Sequence, residues 1–187
     1  MNRRDMMRVL GGTLALPLLA GLPAERLDAL GRAAHRRARA RAGGFAVLDP
    51  HQAETVATIA EMIIPETDTP GARAAHVPEF IDLMLAEWFA DDDRARFLAG
   101  LADVDERSRD LFGADFLTTS EPQRAAILSG LDAEVAALRR AKAKPEKHFF
   151  HQIKSFTLYG FYTSEIGAAE THFEIIPGLY DGCVPLP

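Results

Sequence analysis

Six prolines divide the centre of this chain into segments whose apolar residues recur every three or four positions. Proline has a fixed φ and no N–H to donate, so it fits the first turn of a helix and breaks one further in. Asp49-Pro50 therefore reads as a helix start, with the aspartate as cap. Val56, Ile59, Ala60, Ile63 and Ile64 follow at helical spacing until Pro65 stops the run. The segment Pro65-Glu66-Thr67-Asp68-Thr69-Pro70-Gly71 is a loop, because Pro-Gly is a strong turn signal. Pro78 opens a second helix carrying Phe80, Ile81, Leu83, Met84, Leu85 and Trp88. A third runs through Phe97, Leu98, Leu101, Val104 and Leu111 to about Gly113, with Asp91, Asp92 and Asp93 supplying a cap and favourable negative charge at its start. Ser120-Glu121-Pro122-Gln123 has the pattern of a capping box and opens a fourth, with Ile127, Leu128, Leu131, Val135 and Leu138 on its core face. Pro145 starts a fifth with Phe149, Phe150, Ile153, Phe156, Leu158 and Tyr159, and Phe161 and Tyr162 extend its aromatic stripe.

No stretch of useful length alternates with period two, and no segment repeats. The expectation is an all-α fold, a compact helical domain of about five helices over residues 49–187. With 48% apolar residues the chain can bury a core. Beyond about residue 172, Pro177-Gly178 and Pro185-Leu186-Pro187 exclude continuous helix, and an extended C-terminal arm is expected.

The start of the chain follows another logic. Arg3 and Arg4 stand just before an apolar run from Val9 to Leu22, a charged region followed by a hydrophobic one, as in an export signal. The pair, with Met6 and Met7 where bulky apolar residues are expected and Arg8 after them, resembles the twin-arginine (Tat) signal, which exports folded proteins. A Sec-type signal has a similar layout. The run holds 14 positions, including Gly11, Gly12, Thr13 and Pro17, short of the roughly 20 apolar residues of a spanning helix. Residues 1–24 are thus expected to be a twin-arginine signal segment. Ala20 and Ala24 are small, but neither completes a small-x-small cleavage pattern.

Charge is divided unevenly. Residues 1–41 hold nine arginines and three acids, Asp5, Glu25 and Asp28, whereas the remainder holds 12 bases and 24 acids. An acidic body lacks the basic footprint of a nucleic-acid binder. The arginine-rich stretch across residues 31–44 invites a nucleic-acid or lipid reading; the expectation is a flexible, solvated basic linker over residues 25–48. Cys183 is the only cysteine, so it forms no internal disulfide; it is a buried small residue or pairs with a partner chain.

The chain has no Gly-x-Gly-x-x-Gly after a strand, no Cys-x-x-Cys-His, no phosphate loop and no nucleophile elbow. His148 and His151 are three apart, and Glu146 and His172 are further ligand types, so a metal-assisted site is an alternative. The usual helical zinc pair has four-residue spacing around a glutamate, which is not the pattern here. Asp91, Asp92 and Asp93 lack the spaced calcium loop. The aromatic stripe of residues 149–162 is core, or a partner surface where it stays exposed.

From Glu54 onward the chain resembles the gluconate 2-dehydrogenase subunit 3 family, small subunits of membrane-bound flavin-dependent sugar dehydrogenases. The resemblance rests on Ala60-Glu61-Met62-Ile63-Ile64-Pro65-Glu66-Thr67-Asp68-Thr69-Pro70-Gly71-Ala72 followed by Val77-Pro78-Glu79-Phe80-Ile81-Asp82, on Phe112-Gly113-Ala114-Asp115-Phe116, and on the stretch from Phe149 to Ser164 with the Pro177-Gly178 tail. It implies a non-catalytic subunit with no cofactor of its own and no catalytic or metal-binding residue. FAD is expected in a large glucose-methanol-choline-type partner, with a c-type cytochrome taking the electrons. The small subunit would escort the flavoprotein through the Tat translocon to the periplasm, where the complex is membrane-associated. The residues expected to meet the partner are Thr67, Asp68, Thr69, Pro70, Gly71, Phe149, Phe150, Tyr159, Tyr162 and Cys183. A stand-alone binding module is the remaining alternative.

Overall fold

Helix caps set the punctuation of the fold. Asp49 accepts from Gln52 N at 2.8 Å while Gln52 Oε1 accepts from Asp49 N at 3.1 Å, a reciprocal box with Pro50 in the first turn. At Ser120, Gln123 Oε1 reaches back to the backbone N–H at 2.9 Å, again beside a first-turn proline. Gly113, at φ 73°, ends the longest helix in the left-handed conformation that glycine adopts without strain.

A computed structural model describes residues 24–40 and 44–170. Among them are α1 (Ala24–Ala40), α2 (Pro50–Ile63), α3 (Val77–Glu87), α4 (Asp91–Phe112), α5 (Glu121–Arg140), α6 (Phe149–Tyr162) and α7 (Glu165–Glu170). Short 3₁₀ turns, Phe116–Thr118 and Pro145–Lys147, precede α5 and α6. No described residue is in a strand, so the fold is all-α as expected. No described helix is long and apolar enough to cross a membrane. The expected signal segment up to residue 23, with Arg3 and Arg4, and the expected arm from about residue 172, with His172 and Cys183, lie outside the described residues.

The hub is α6, which packs against α1, α2, α3, α4, α5 and α7. Its buried face is Phe149, Phe150, Ile153, Thr157, Gly160 and Phe161. Two glycines permit the close approaches. A Cβ on Gly100 of α4 would overlap the Phe149 ring, and one on Gly160 would lie 2.9 Å from Phe80 Cδ1. The rings of Phe97 and Phe149 meet at 5.1 Å and those of Phe80 and Tyr159 at 5.7 Å, geometries in which aromatic edges and faces attract.

Two buried carboxylates pin chain segments to the body. Asp82 on α3 accepts from the backbone N–H groups of Ala46, Val47 and Leu48 at 2.8–3.0 Å, which straps the lead-in to α2 onto the body. Asp105 on α4 accepts from Phe116 N at 3.0 Å and from His51 Nε2 at 2.6 Å, tying the first 3₁₀ turn and α2 to α4.

Three expectations are corrected. The basic stretch of residues 25–48 is not a flexible linker throughout: it carries α1 and then the strap held by Asp82. Gly31, Ala34 and His35 form the buried face of α1, and the flanking Arg32, Arg36 and Arg37 are exposed. Within the expected domain the described helices are α2–α7, in keeping with about five, and α1 precedes it. The three aspartates at the start of α4 occupy its first turn and do not cap, since the cap residue is Ala90. Pro145 opens a 3₁₀ turn, and α6 begins at Phe149 because the His148 side chain caps it, accepting from Phe150 N at 3.2 Å.

A candidate partner-docking surface

The loop between α2 and α3 is built around one carboxylate. Glu61, near the C-terminus of α2, accepts from Glu66 N at 2.7 Å through Oε1 and from Arg73 N at 2.9 Å through Oε2. The loop thereby closes on the helix it has just left. Gly71 allows this by lacking a side chain: a Cβ there would overlap Glu61 Oε1 and lie 2.6 Å from Glu66 N. Ala72 N donates to Ile64 O at 3.0 Å, and Thr67 N donates to Thr69 O at 2.9 Å, so the tip has its own turn. Thr67 Oγ1 donates to Asp68 Oδ1 at 3.0 Å.

Arg73 then clamps the loop to the outer face of α2. Its guanidinium donates to both oxygens of Glu54, at 2.7 and 3.2 Å, and to Thr58 Oγ1 at 3.0 Å. The fork matches the planar guanidinium. The hydrogen bond from Arg73 holds the Glu54 carboxyl below the ordinary carboxylate range against the opposing pull of partial burial, and the Glu54 carboxylate raises Arg73 in return. Beside this pair lies a groove of about 500 Å³, lined by Phe45, Leu48, Ala53, Ala57, Pro78 and Glu79 among others. Phe45 is 40% exposed at its rim.

The residues expected to meet a partner divide by burial. Thr67 and Asp68 are exposed, Thr69 and Pro70 half-buried, and Gly71 buried. Phe149 and Phe150 are core residues, 7% and 4% exposed, and offer no surface. They sit on the inner face of α6, which a stripe of aromatics alone could not reveal. Tyr159 is half-buried against Phe80, whereas Tyr162 is 51% exposed and stands one turn beyond Leu158, 40% exposed. Cys183 lies outside the described residues.

His148 and His151 are each held by partners of their own. His148 Nδ1 accepts from Phe150 N, so in the neutral ring Nε2 carries the proton and faces Glu134 Oε2 at 3.2 Å. His151 Nδ1 accepts from Arg139 Nη2 at 3.2 Å, and burial followed by the Arg139 charge lowers its pKa. Among the described residues no three His, Cys, Asp or Glu side chains come together as a metal cage.

The anchors Glu54, Glu61 and Arg73 were not singled out from the sequence. The available signal was spacing: Glu54, Thr58 and Glu61 fall at i, i+4 and i+7, one stripe of α2 facing the loop that follows.

No curated protein and no solved structure matches the chain. The family model described as gluconate 2-dehydrogenase subunit 3 matches residues 50–178, from the first residue of α2 through the α2–α3 loop and α6. That match spans well over half of the 187 residues, and the chain belongs to the gluconate 2-dehydrogenase subunit 3 family.

Proposed function

We propose that this chain is the non-catalytic small subunit of a periplasmic, FAD-dependent dehydrogenase of the glucose-methanol-choline type, acting on a sugar or sugar acid. Membership of a subunit 3 family implies partnership with other dehydrogenase subunits. In this reading the large subunit holds FAD and oxidises the substrate, and a c-type cytochrome accepts the electrons. The small subunit contributes the export signal at Arg3 and Arg4 and a surface that stabilises the folded flavoprotein. FAD enters its protein before export, and the twin-arginine route accepts folded cargo, so one signal serves both chains.

The observation that carries this reading is the loop of residues 65–73, which is exposed at its tip yet fixed by Glu61, Gly71 and Arg73. A surface loop ordered before binding loses little conformational freedom on association, which favours a partner contact. Tyr162 and Leu158 offer a second, apolar contact on α6.

The test is co-expression of both subunits with Arg3→Lys plus Arg4→Lys. The expected result is flavoprotein retained in the cytoplasm. Normal amounts of periplasmic flavoprotein would eliminate the escort role.

A further inference from the structure

The sign of the charge reverses at one turn of the fold. Residues 44–138 hold 19 acids and six bases, all six arginines. Five of those, Arg73, Arg94, Arg96, Arg107 and Arg109, pair with carboxylates, and Arg124 donates to Leu117 O. Residues 139–154 hold six bases and the single acid Glu146. All four lysines of the chain, Lys142, Lys144, Lys147 and Lys154, lie in this stretch. Lys154 pairs with Asp132 at 2.9 Å. Among the described residues no carboxylate pairs with Arg140, Lys142, Lys144 or Lys147, and all four are exposed.

The α5 dipole accounts for cations in its last turn, Arg139 and Arg140, but not for those beyond it. Lys142 also stands where glycine is preferred. Ala143 N donates to Leu138 O at 3.0 Å and Lys142 N to Arg139 O at 3.1 Å, the helix-ending motif whose left-handed residue is usually glycine. Here that residue is a lysine at φ 53°. A cation thus stands at the turn in a backbone conformation unfavourable to it.

We propose that the turn between α5 and α6, with Arg140, Lys142, Lys144 and Lys147, is an electrostatic contact for an anionic phospholipid surface. The choice of lysine selects this occupant. Protein–protein interfaces are enriched in arginine and depleted in lysine. Lysine is a mobile, well-hydrated point charge, suited to a diffuse layer of headgroup phosphates. Clusters of four or more basic residues attract anionic bilayers, and screening over about 8–10 Å shields the acidic remainder of the body from the surface. This contact is separate from the docking loop, and its failure would leave the subunit reading intact.

The experiment is co-sedimentation of the full-length chain with vesicles of phosphatidylcholine alone and of equal parts phosphatidylcholine and phosphatidylglycerol. The apolar run of residues 9–22 is common to wild type and variants, so the difference between them reports the patch. Combined Arg140→Glu, Lys142→Glu, Lys144→Glu and Lys147→Glu is expected to weaken binding to the mixed vesicles by more than about a thousand-fold, leaving binding to neutral vesicles unchanged. Neutralisation of the same positions to Gln is expected to give a smaller loss, and Lys→Arg at all three lysines to preserve binding. Equal binding of wild type and the Glu variant to the mixed vesicles overturns the proposal. So does loss of the dehydrogenase partner from the Glu variant with vesicle binding intact, which would assign the patch to an acidic protein face.

Discussion

Gly71→Ala is the substitution that interrogates the loop between α2 and α3 most sharply. The new methyl would overlap Glu61 Oε1 and lie 2.6 Å from Glu66 N, so both the carboxylate and the loop backbone must shift. Moving the carboxylate gives up its hydrogen bonds from Glu66 N at 2.7 Å and Arg73 N at 2.9 Å. A hydrogen bond to a charged group contributes about 1.5–3 kcal/mol when buried. Both bonds are at the surface, where water replaces them in part, so a total near 2 kcal/mol is expected. For a chain of this size that corresponds to a fall in Tm of about 4–8 °C. Calorimetry on wild type, Gly71→Ala, Glu61→Ala and the double variant checks the reasoning. The Glu61 part of the clash disappears in the double variant while the overlap with Glu66 N remains, so the double variant should be worse than Glu61→Ala alone but better than the sum of the two single effects, a partly non-additive cycle. An unchanged Tm for Gly71→Ala, or additive effects, would refute this account of the loop.

Three further outcomes follow from the same geometry. Lys142→Gly should raise stability by about 0.5–1 kcal/mol in urea titrations, because glycine adopts the left-handed conformation freely. His35→Ala should cost about 2–4 kcal/mol and speed tryptic cleavage at the α1 arginines: His35 is 1% exposed, stacks on Phe80 at 4.8 Å and donates to Gly160 O at 2.6 Å. The third is a pH effect. Glu54 is held below its unfolded pKa by Arg73, so the pair's stabilisation is fully present above the unfolded carboxylate value of about 4.5 and disappears as pH falls through the lower folded value. The stability difference between wild type and Arg73→Ala should therefore be small at pH 7, since both side chains are substantially exposed, and should shrink towards zero in acid.

The parts of the fold legible in the sequence are those with strong local signals. Asp49-Pro50 and Ser120-Glu121-Pro122-Gln123 mark helix starts because caps and first-turn prolines act within four residues. The start of α6 was displaced because its cap is His148, which is not among the residues usually found there. The helix α1 was missed for a different reason. Its buried face is Gly31, Ala34 and His35, without a large apolar residue, and its arginines suggested a solvated stretch. Yet alanine and arginine are good helix formers, and the small face is what lets α1 sit close to Thr163 and Gly160. Asp82 and Asp105 act on backbone groups 11 to 36 residues away, a reach that no local pattern encodes. In the candidate site, Pro70-Gly71 marked the loop, but its anchors Glu61 and Arg73 emerged only from the geometry.

The central claim is that this chain works as a subunit whose partner is a flavoprotein. Its most direct test is affinity purification of the C-terminally tagged full-length chain from native membranes, read by absorbance and mass spectrometry. A yellow complex containing one large flavoprotein is expected, with Gly71→Ala reducing its yield. A colourless chain recovered without a partner would contradict it.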